Sequence, residues 1–476
     1  DKDECSEVPA YKRYFSQFCC EETMTLPPQK PDIEQIVSVI VDPEIISVKF
    51  INTLKGTSVE GQHLAGKKVI LEIKLKQKTL YVADIPDQSI YGTESIFYKS
   101  AYIVLPPFIE GTDPELLFKN NMLKPKLTIE DVYYARLGKR SIFKNICIFA
   151  ELQFIPTFEL CYSSYHNCTK SELFLCHENG SFNTQVTQTK SKKNIKPCWS
   201  PNGNQIAYLS GTQEGYSLFN FNIKNNSHKM LFPHNFFDNI SSFSWLKDSQ
   251  QILFSAVKNE SKELYLLNIA NNKHQQITQG SGLIKSYYPK ASPDGCHVAY
   301  LRSYTCLVDL WYSDVQGKNP IKITTTGAVR DYDWLSDSKG LVYIDNKNEC
   351  CCEIYMIKLK EQYSSCIVKC DSLYGCKSLA VSPDGCYIAF VGTNKCSDDI
   401  YIYNMHTEKL HNITNHQNSI KINSIAWKID SSKIYYAAKE FTYYNIYSVD
   451  IANKCKEYLT NTTSSYMQLS YRPRIK

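Results

Sequence analysis

From residue 199 onward one turn motif keeps returning. It reads Trp199-Ser-Pro-Asn-Gly, Trp245-Leu-Lys-Asp-Ser, Ala291-Ser-Pro-Asp-Gly, Trp334-Leu-Ser-Asp-Ser, Val381-Ser-Pro-Asp-Gly and Trp427-Lys-Ile-Asp-Ser, with a shortened copy at Tyr471-Arg-Pro. Successive copies start 43 to 47 residues apart. A period of this size, held over half a chain, leaves few folds open, because each repeat must be one supersecondary unit that buries its apolar face against its neighbours. Each turn is followed by a short apolar run: IAYLS at Ile206, ILFSA at Ile252, VAYLRS at Val298, LVYID at Leu341, IAFVG at Ile388 and IYYAA at Ile434. Asp-Gly or Asp-Ser between two such runs marks a hairpin, since the turn needs residues that tolerate positive φ. A third strand follows in ELYLLNI at Glu263, DLWYSDV at Asp309, EIYMIKL at Glu353, DIYIYNM at Asp399 and NIYSVDI at Asn445, and most copies close on Thr278, Thr324, Thr414 or Thr460. Four strands per period predict propeller blades.

The SPDG and WSPNG turns, with their IAF/IAY and IYxxD strands, resemble the TolB-type propeller repeat over residues 154–476. Six complete repeats run from about 192 to 460, and LSYRPRIK supplies one more first strand without partners. FELCYSS, ELFLCHE and NTQVTQ, between Phe158 and Gln188, read as its strands two to four. Pairing the last strand with these three closes the ring and leaves no sheet edge open. The expectation is seven blades, one more than the usual TolB count.

Residues 23–153 carry a different text of alternating apolar and polar residues, which predicts an antiparallel β domain. The whole chain is therefore expected to be all-β, in keeping with its 34 Tyr and 21 Phe beside many Ile, Val and Thr. Pro28, Lys30, Pro31, Asp32, Glu34, Gln35, Glu60, Gly61, Leu64, Gly66, Lys67, Tyr81 to Asp84 and Arg140 to Asn145 carry a resemblance to the SPOCS domain of clostridial sporulation and spore-coat proteins. That resemblance implies a spore-associated location and a binding or building role without catalytic residues. Residues 1–22 precede the first strand of this text and are expected to form a cysteine-bearing arm.

Nineteen cysteines is the unusual count. No CxxC pair with a second pair or histidines at set spacing is present, so a zinc site is not expected. Disulfides fit better, in an oxidising setting, with small buried hydrophobes as the alternative. Cys350, Cys351, Cys352, Cys366, Cys370, Cys376, Cys386 and Cys396 are expected to bond mostly within the propeller. Cys5, Cys19 and Cys20 have no nearby sequence partner and are candidates for bonds between chains.

Other chemistry is not indicated. The sequence has no GxSxG, HExxH, GxxxxGK[ST] or GxGxxG, and no residues after the last blade to house a hydrolase domain. No catalytic residue, metal or cofactor is expected. Asp294 and Asp384 are read as turn caps and the repeated tryptophans as packing between blades. The net charge of +5, from 53 basic and 48 acidic residues spread along the chain, does not imply nucleic-acid binding. No apolar run reaches the roughly 18 residues of a membrane span. The start DKDECSEVPAYKRYF has no signal or transit pattern, and beginning at Asp1 rather than Met it leaves secretion open. The expected function is structural, as a spore-coat component or disulfide-crosslinked filament subunit at the spore surface or outside the cell, with itself and other spore-surface proteins as partners. A monomeric adaptor or receptor that binds a protein or glycan through the propeller face is the alternative, and an exported enzyme with an unfamiliar site is a weaker third.

Overall fold

Alternation of side chains along two strands organises the first third of the chain. The computed structural model describes residues 13–473 except 58–62, 65, 110–111, 120, 156, 166–169, 190, 213, 233–235, 281, 347–350, 362, 395–396, 417–418 and 466. Two units emerge, Asp1–Thr157 and Phe158–Lys476. The first contains β1 (Arg13–Thr25), β2 (Ile33–Asn52), β3 (Gly56–Thr57), β4 (His63–Leu64), β5 (Lys67–Ala83), β6 (Ile90–Leu105), α1 (Pro114–Lys119), β7 (Leu123–Arg136) and β8 (Ser141–Phe154). Two antiparallel sheets have the orders β2-β5-β6 and β1-β8-β7, and β3 and β4 form a small hairpin. Every second residue of β5 points inward, so Val69, Leu71, Ile73 and Leu75 are buried while Lys68, Glu72, Lys74 and Lys76 reach water. Ile142, Ile146, Ile148, Ala150 and Leu152 do the same from β8. Between the sheets Lys144 is fully buried, and its Nζ donates to Gln77 Oε1 of β5 at 2.8 Å and to Ser95 Oγ of β6 at 3.2 Å.

The residues that carry the SPOCS resemblance are partly gathered at one corner. Arg140 donates to Asp32 Oδ1 at 2.7 Å, to the Pro27 carbonyl at 2.7 Å and to the Lys30 carbonyl at 3.0 Å. Tyr81 donates its hydroxyl proton to the Pro31 carbonyl at 3.1 Å, and the Asp84 amide donates to the Asp32 carbonyl. A guanidinium serving several carbonyls and a carboxylate from one fork holds the Pro27–Asp32 connection in place. The arm expected over residues 1–22 requires a correction: from Arg13 onward it is the strand β1, paired with β8 from Arg13 opposite Gln153 to Thr25 opposite Ser141. The preceding residues, including Cys5, lie outside the described ones.

The second unit is a seven-bladed propeller. Blade 1 combines Met467–Tyr471 with Leu160–Tyr165, Ser171–Cys176 and Thr184–Gln185. Blades 2 to 7 span 193–230, 239–276, 284–322, 329–370, 375–412 and 420–458, four antiparallel strands each. Closure is made by the last strand, with Leu469 opposite Tyr162 and Tyr471 opposite Leu160.

The two turn types alternate around the ring, and so do their contacts. Gly203, Gly295 and Gly385 take φ of 65°, 81° and 76° in blades 2, 4 and 6, and Ser249, Ser338 and Ser431 take 56°, 62° and 59° in blades 3, 5 and 7. The amides of Asn202, Asp294 and Asp384 donate to those serine hydroxyls at 3.0, 2.9 and 3.2 Å. The indole N–H groups of Trp245, Trp334 and Trp427 donate back to the carbonyls of Cys198, Lys290 and Ala380 at 3.1, 2.9 and 3.1 Å. Blades 2 and 3, 4 and 5, and 6 and 7 are thus joined as pairs, and blade 1 is the odd member. Trp199, which follows blade 1, finds no such carbonyl among the described residues: its buried N–H has no partner there, and Arg472 lies over its ring at 5.0 Å.

Candidate functional site

The first strands of blades 4 and 5 hold a cluster of buried charge. Lys290 of blade 4 lies 3.3 Å from Asp333 and 3.9 Å from Asp331 of blade 5, with the rings of Tyr332 and Tyr288 at 5.3 and 5.5 Å. Burial alone would pull the lysine down, but Asp333, Tyr288 and Asp331 carry it above its ordinary range. Burial pushes Asp331 up. The second oxygens of both carboxylates accept amides of blade 6, Leu379 to Asp331 and Val381 to Asp333, each at 2.9 Å. Equivalent places elsewhere use neutral groups: Ser242 Oγ accepts the Tyr288 amide and Gln468 Oε1 the Lys196 amide. The cluster therefore joins three blades.

A second set of polar groups lies at the third strands. Thr187, Thr278, Thr324 and Thr414 donate to Glu172, Glu263, Asp309 and Asp399 at 2.6, 2.6, 3.0 and 2.7 Å, and Thr460 to Asn445 at 3.4 Å, each across a spacing of 15 residues. The same hydroxyls accept the amides of Leu173, Leu264, Leu310, Ile400 and Ile446. A buried carboxylate is tolerated because it accepts several hydrogen bonds. The sequence displayed the threonines as strand ends, and the fixed spacing to an acid or amide is the signal that could have revealed their work. Blade 5 departs from this pattern: Glu353 is held by Lys369 at 3.1 Å and by the Tyr355 hydroxyl at 3.0 Å.

At the same blade Cys352 is bonded to Cys376, which ties the third strand of blade 5 to the first strand of blade 6. The wider expectation for this cluster is not what the structure contains. Cys366, Cys370 and Cys386 are thiols, with Cys366 and Cys370 on the outermost strand of blade 5 and Cys386 in a turn 3.7 Å from His406 Nε2. Cys370 stands opposite Cys352 in register, but that sulfur is already committed to the next blade. Cys351 is buried 3.8 Å from Glu353 Oε1, and Cys350 and Cys396 lie outside the described residues.

In the first unit Cys19 is exposed while Cys20 is buried, because adjacent strand residues face opposite ways. A neighbouring chain cannot reach Cys20 while β1 stays in place, which corrects its candidacy for a bond between chains. Cys19 stands directly across from Cys147.

The turn carboxylates are caps, as expected: Asp294 Oδ1 accepts Ser292 Oγ at 2.5 Å and the Cys296 amide at 2.9 Å, and Asp384 repeats this with Ser382 and Cys386. Among the described residues no group of three or more His, Cys, Asp or Glu side chains is placed to hold a metal ion. A cavity of about 340 Å³ at blade 7 is lined by His416, Tyr436, Glu440, Tyr447, Lys456 and Tyr458 among others. Tyr436 stacks on Tyr447 at 5.4 Å, Tyr458 meets Tyr447 edge-on at 5.3 Å, and among the described residues the buried Tyr436 hydroxyl has no hydrogen-bond partner.

Comparison with known proteins agrees with the propeller. Residues 159–372 match the TolB beta propeller domain family. Among curated proteins none matches the chain in sequence. Oligogalacturonate lyase from Vibrio parahaemolyticus is 14% identical with a TM-score of 0.50, over 70% of this chain and 98% of its own. A prolyl endopeptidase is 10% identical with a TM-score of 0.52, over 75% of this chain and 52% of its own. TolB from Acinetobacter baumannii is 11% identical with a TM-score of 0.46, over 92% of this chain and 83% of its own. At such identities the likeness is one of fold.

Proposed function

We propose that this chain is a non-catalytic structural protein of the bacterial spore surface, a coat component or the subunit of a disulfide-crosslinked filament, that assembles through its first, SPOCS-like unit. The observation that supports assembly is where apolar surface lies. Among the described residues 26 large apolar side chains are exposed, and 15 of them belong to the first unit, a third of the chain. On β6 alone Ile96, Tyr98 and Tyr102 are each more than half exposed, and their strand positions share the outer face. Patches of this kind mark contacts with other proteins. Exposed thiols at Cys296, Cys306, Cys366 and Cys455 offer sulfurs for bonds between chains. The spore location rests on the sequence resemblance. Gel filtration and non-reducing electrophoresis test the reading: the protein is expected as a multimer that a thiol reductant breaks down, and a monomer with and without reductant would overturn it.

A second reading, a monomeric adaptor that binds a glycan or protein through the propeller, is favoured by the tyrosine-lined cavity of blade 7. Stacked rings beside carboxylates suit a sugar ring, and an unpaired buried hydroxyl invites a ligand. Binding of oligosaccharides that disappears in Tyr436→Phe would support it.

A further inference from the structure

We propose that Cys19 and Cys147 are a redox-active pair that closes into a disulfide within one chain, by exchange with a small-molecule disulfide of the glutathione type. The two residues face each other directly in the β1-β8 ladder. Directly opposed residues of antiparallel strands have Cα atoms about 4.5 or 5.5 Å apart, and both separations fall inside the range a disulfide spans. Both side chains are on the outer face of the sheet, since their neighbours Cys20, Ile146 and Ile148 fill the interior. Cys19 is exposed and Cys147 half-buried, and neither is bonded to another cysteine. Their thiols lie close enough to hydrogen-bond, and that contact, with burial and the nearby carboxylates of Asp131 and Glu130, pushes the Cys147 thiol up to about 11.

The order of events follows from exposure. The Cys19 thiolate attacks one sulfur of the small disulfide, the S–S bond of the reagent breaks, and one small thiolate leaves. The Cys147 sulfur, giving its proton to a small thiolate or water, then attacks Cys19 Sγ and expels the second. Two protein thiols are oxidised and one small disulfide is reduced to two thiols. The product fastens the edge strand β1 to the centre of its sheet. This bond lies within one chain and stands whether or not chains assemble.

The test uses the full chain, folded, equilibrated with glutathione at graded ratios of oxidised to reduced form, quenched with an alkylating reagent and mapped by mass spectrometry. A Cys19–Cys147 linked peptide is expected, growing with the oxidised fraction, lost on reduction, and present in the monomer. Cys20 is expected to stay unmodified until the protein unfolds. In Cys147→Ser, which leaves β8 its interior side chains, Cys19 is expected to stop at the mixed disulfide with glutathione. Cys19 linked to another chain or to another cysteine, or both thiols remaining free at every ratio, would overturn the proposal.

Discussion

Lys144 is an ammonium inside an all-β core. Besides Gln77 and Ser95, it is met from β1 by Glu22 at 3.2 Å, a carboxylate only 15% exposed, and by Met24 Sδ at 3.5 Å. Burial pulls the lysine below its ordinary range, and Glu22 offsets only part of that. A lysine with a lowered folded pKa releases its proton in the native state before the unfolded chain does. As pH rises from the folded value toward about 10.4, the unfolded state therefore holds more protons, and native stability climbs. Lys144→Met removes this slope, so the stability of the parent relative to the variant should increase between neutral pH and about pH 10 in urea titrations, where a parallel pair of curves would refute the burial argument. The turn serines raise a related question of local strain. Ser338 takes φ of 62°, a conformation that glycine adopts freely, yet its hydroxyl receives the Asp294 amide of the preceding blade. Ser338→Ala keeps the strain and orphans that amide, and should cost about 1–3 kcal/mol. Ser338→Gly also loses the acceptor but relieves roughly 1 kcal/mol of left-handed strain, so it should be the milder variant. Thermal melts that rank alanine above glycine would contradict this account.

The closing strand shows how much one element can carry. Met467, Leu469 and Tyr471 are buried in blade 1, Tyr471 stacks on Tyr435 at 5.1 Å, and Gln468 accepts the Lys196 amide of blade 2. Burial of three such side chains is worth about 1.5–3 kcal/mol each, a sum comparable to the 5–15 kcal/mol that holds a whole domain folded. Removing residues 466–476 should therefore abolish the cooperative transition of the propeller, and a truncated protein that melts like its parent would show that the ring does not depend on this strand. The strand was legible because each blade repeats the same turn chemistry, and a first strand without its three partners at one end demands them at the other. The opposite case is β1. Its inward residues run Ser16, Phe18, Cys20, Glu22 and Met24, so no alternation of apolar and polar residues announces a strand. Glu22 faces inward to meet Lys144, a partner that only the folded sheet brings near. The Cys19 and Cys147 pairing was hidden for the same reason, since register between the first and last strands of a unit is set by tertiary packing. The alternation of blade types was present in the sequence as Gly and Ser turns, but its meaning lies in contacts to the next blade.

For the whole chain, the division between Thr157 and Phe158 has a thermodynamic consequence. The first unit has its own interior, from Val69 to Leu75 on β5 and Ile142 to Leu152 on β8. The second takes every strand of its seven blades, including the last one, from residues after Phe158. Among the described residues no sheet draws strands from both units. Domains that own complete cores can fold alone, and a two-state description then applies to each rather than to the chain. Calorimetry of the full protein should resolve two transitions. A chain of residues 158–476 made alone should reproduce one of them, while residues 158–465 should not, since the ring then lacks its closing strand. Cutting a buried side chain in only one unit assigns the transitions: Ile146→Ala leaves a cavity between the sheets and should cost about 2–5 kcal/mol, lowering the melting of the first unit alone. A single transition that shifts as one body with Ile146→Ala would mean that the units unfold together, and would refute the expectation drawn from their separate cores.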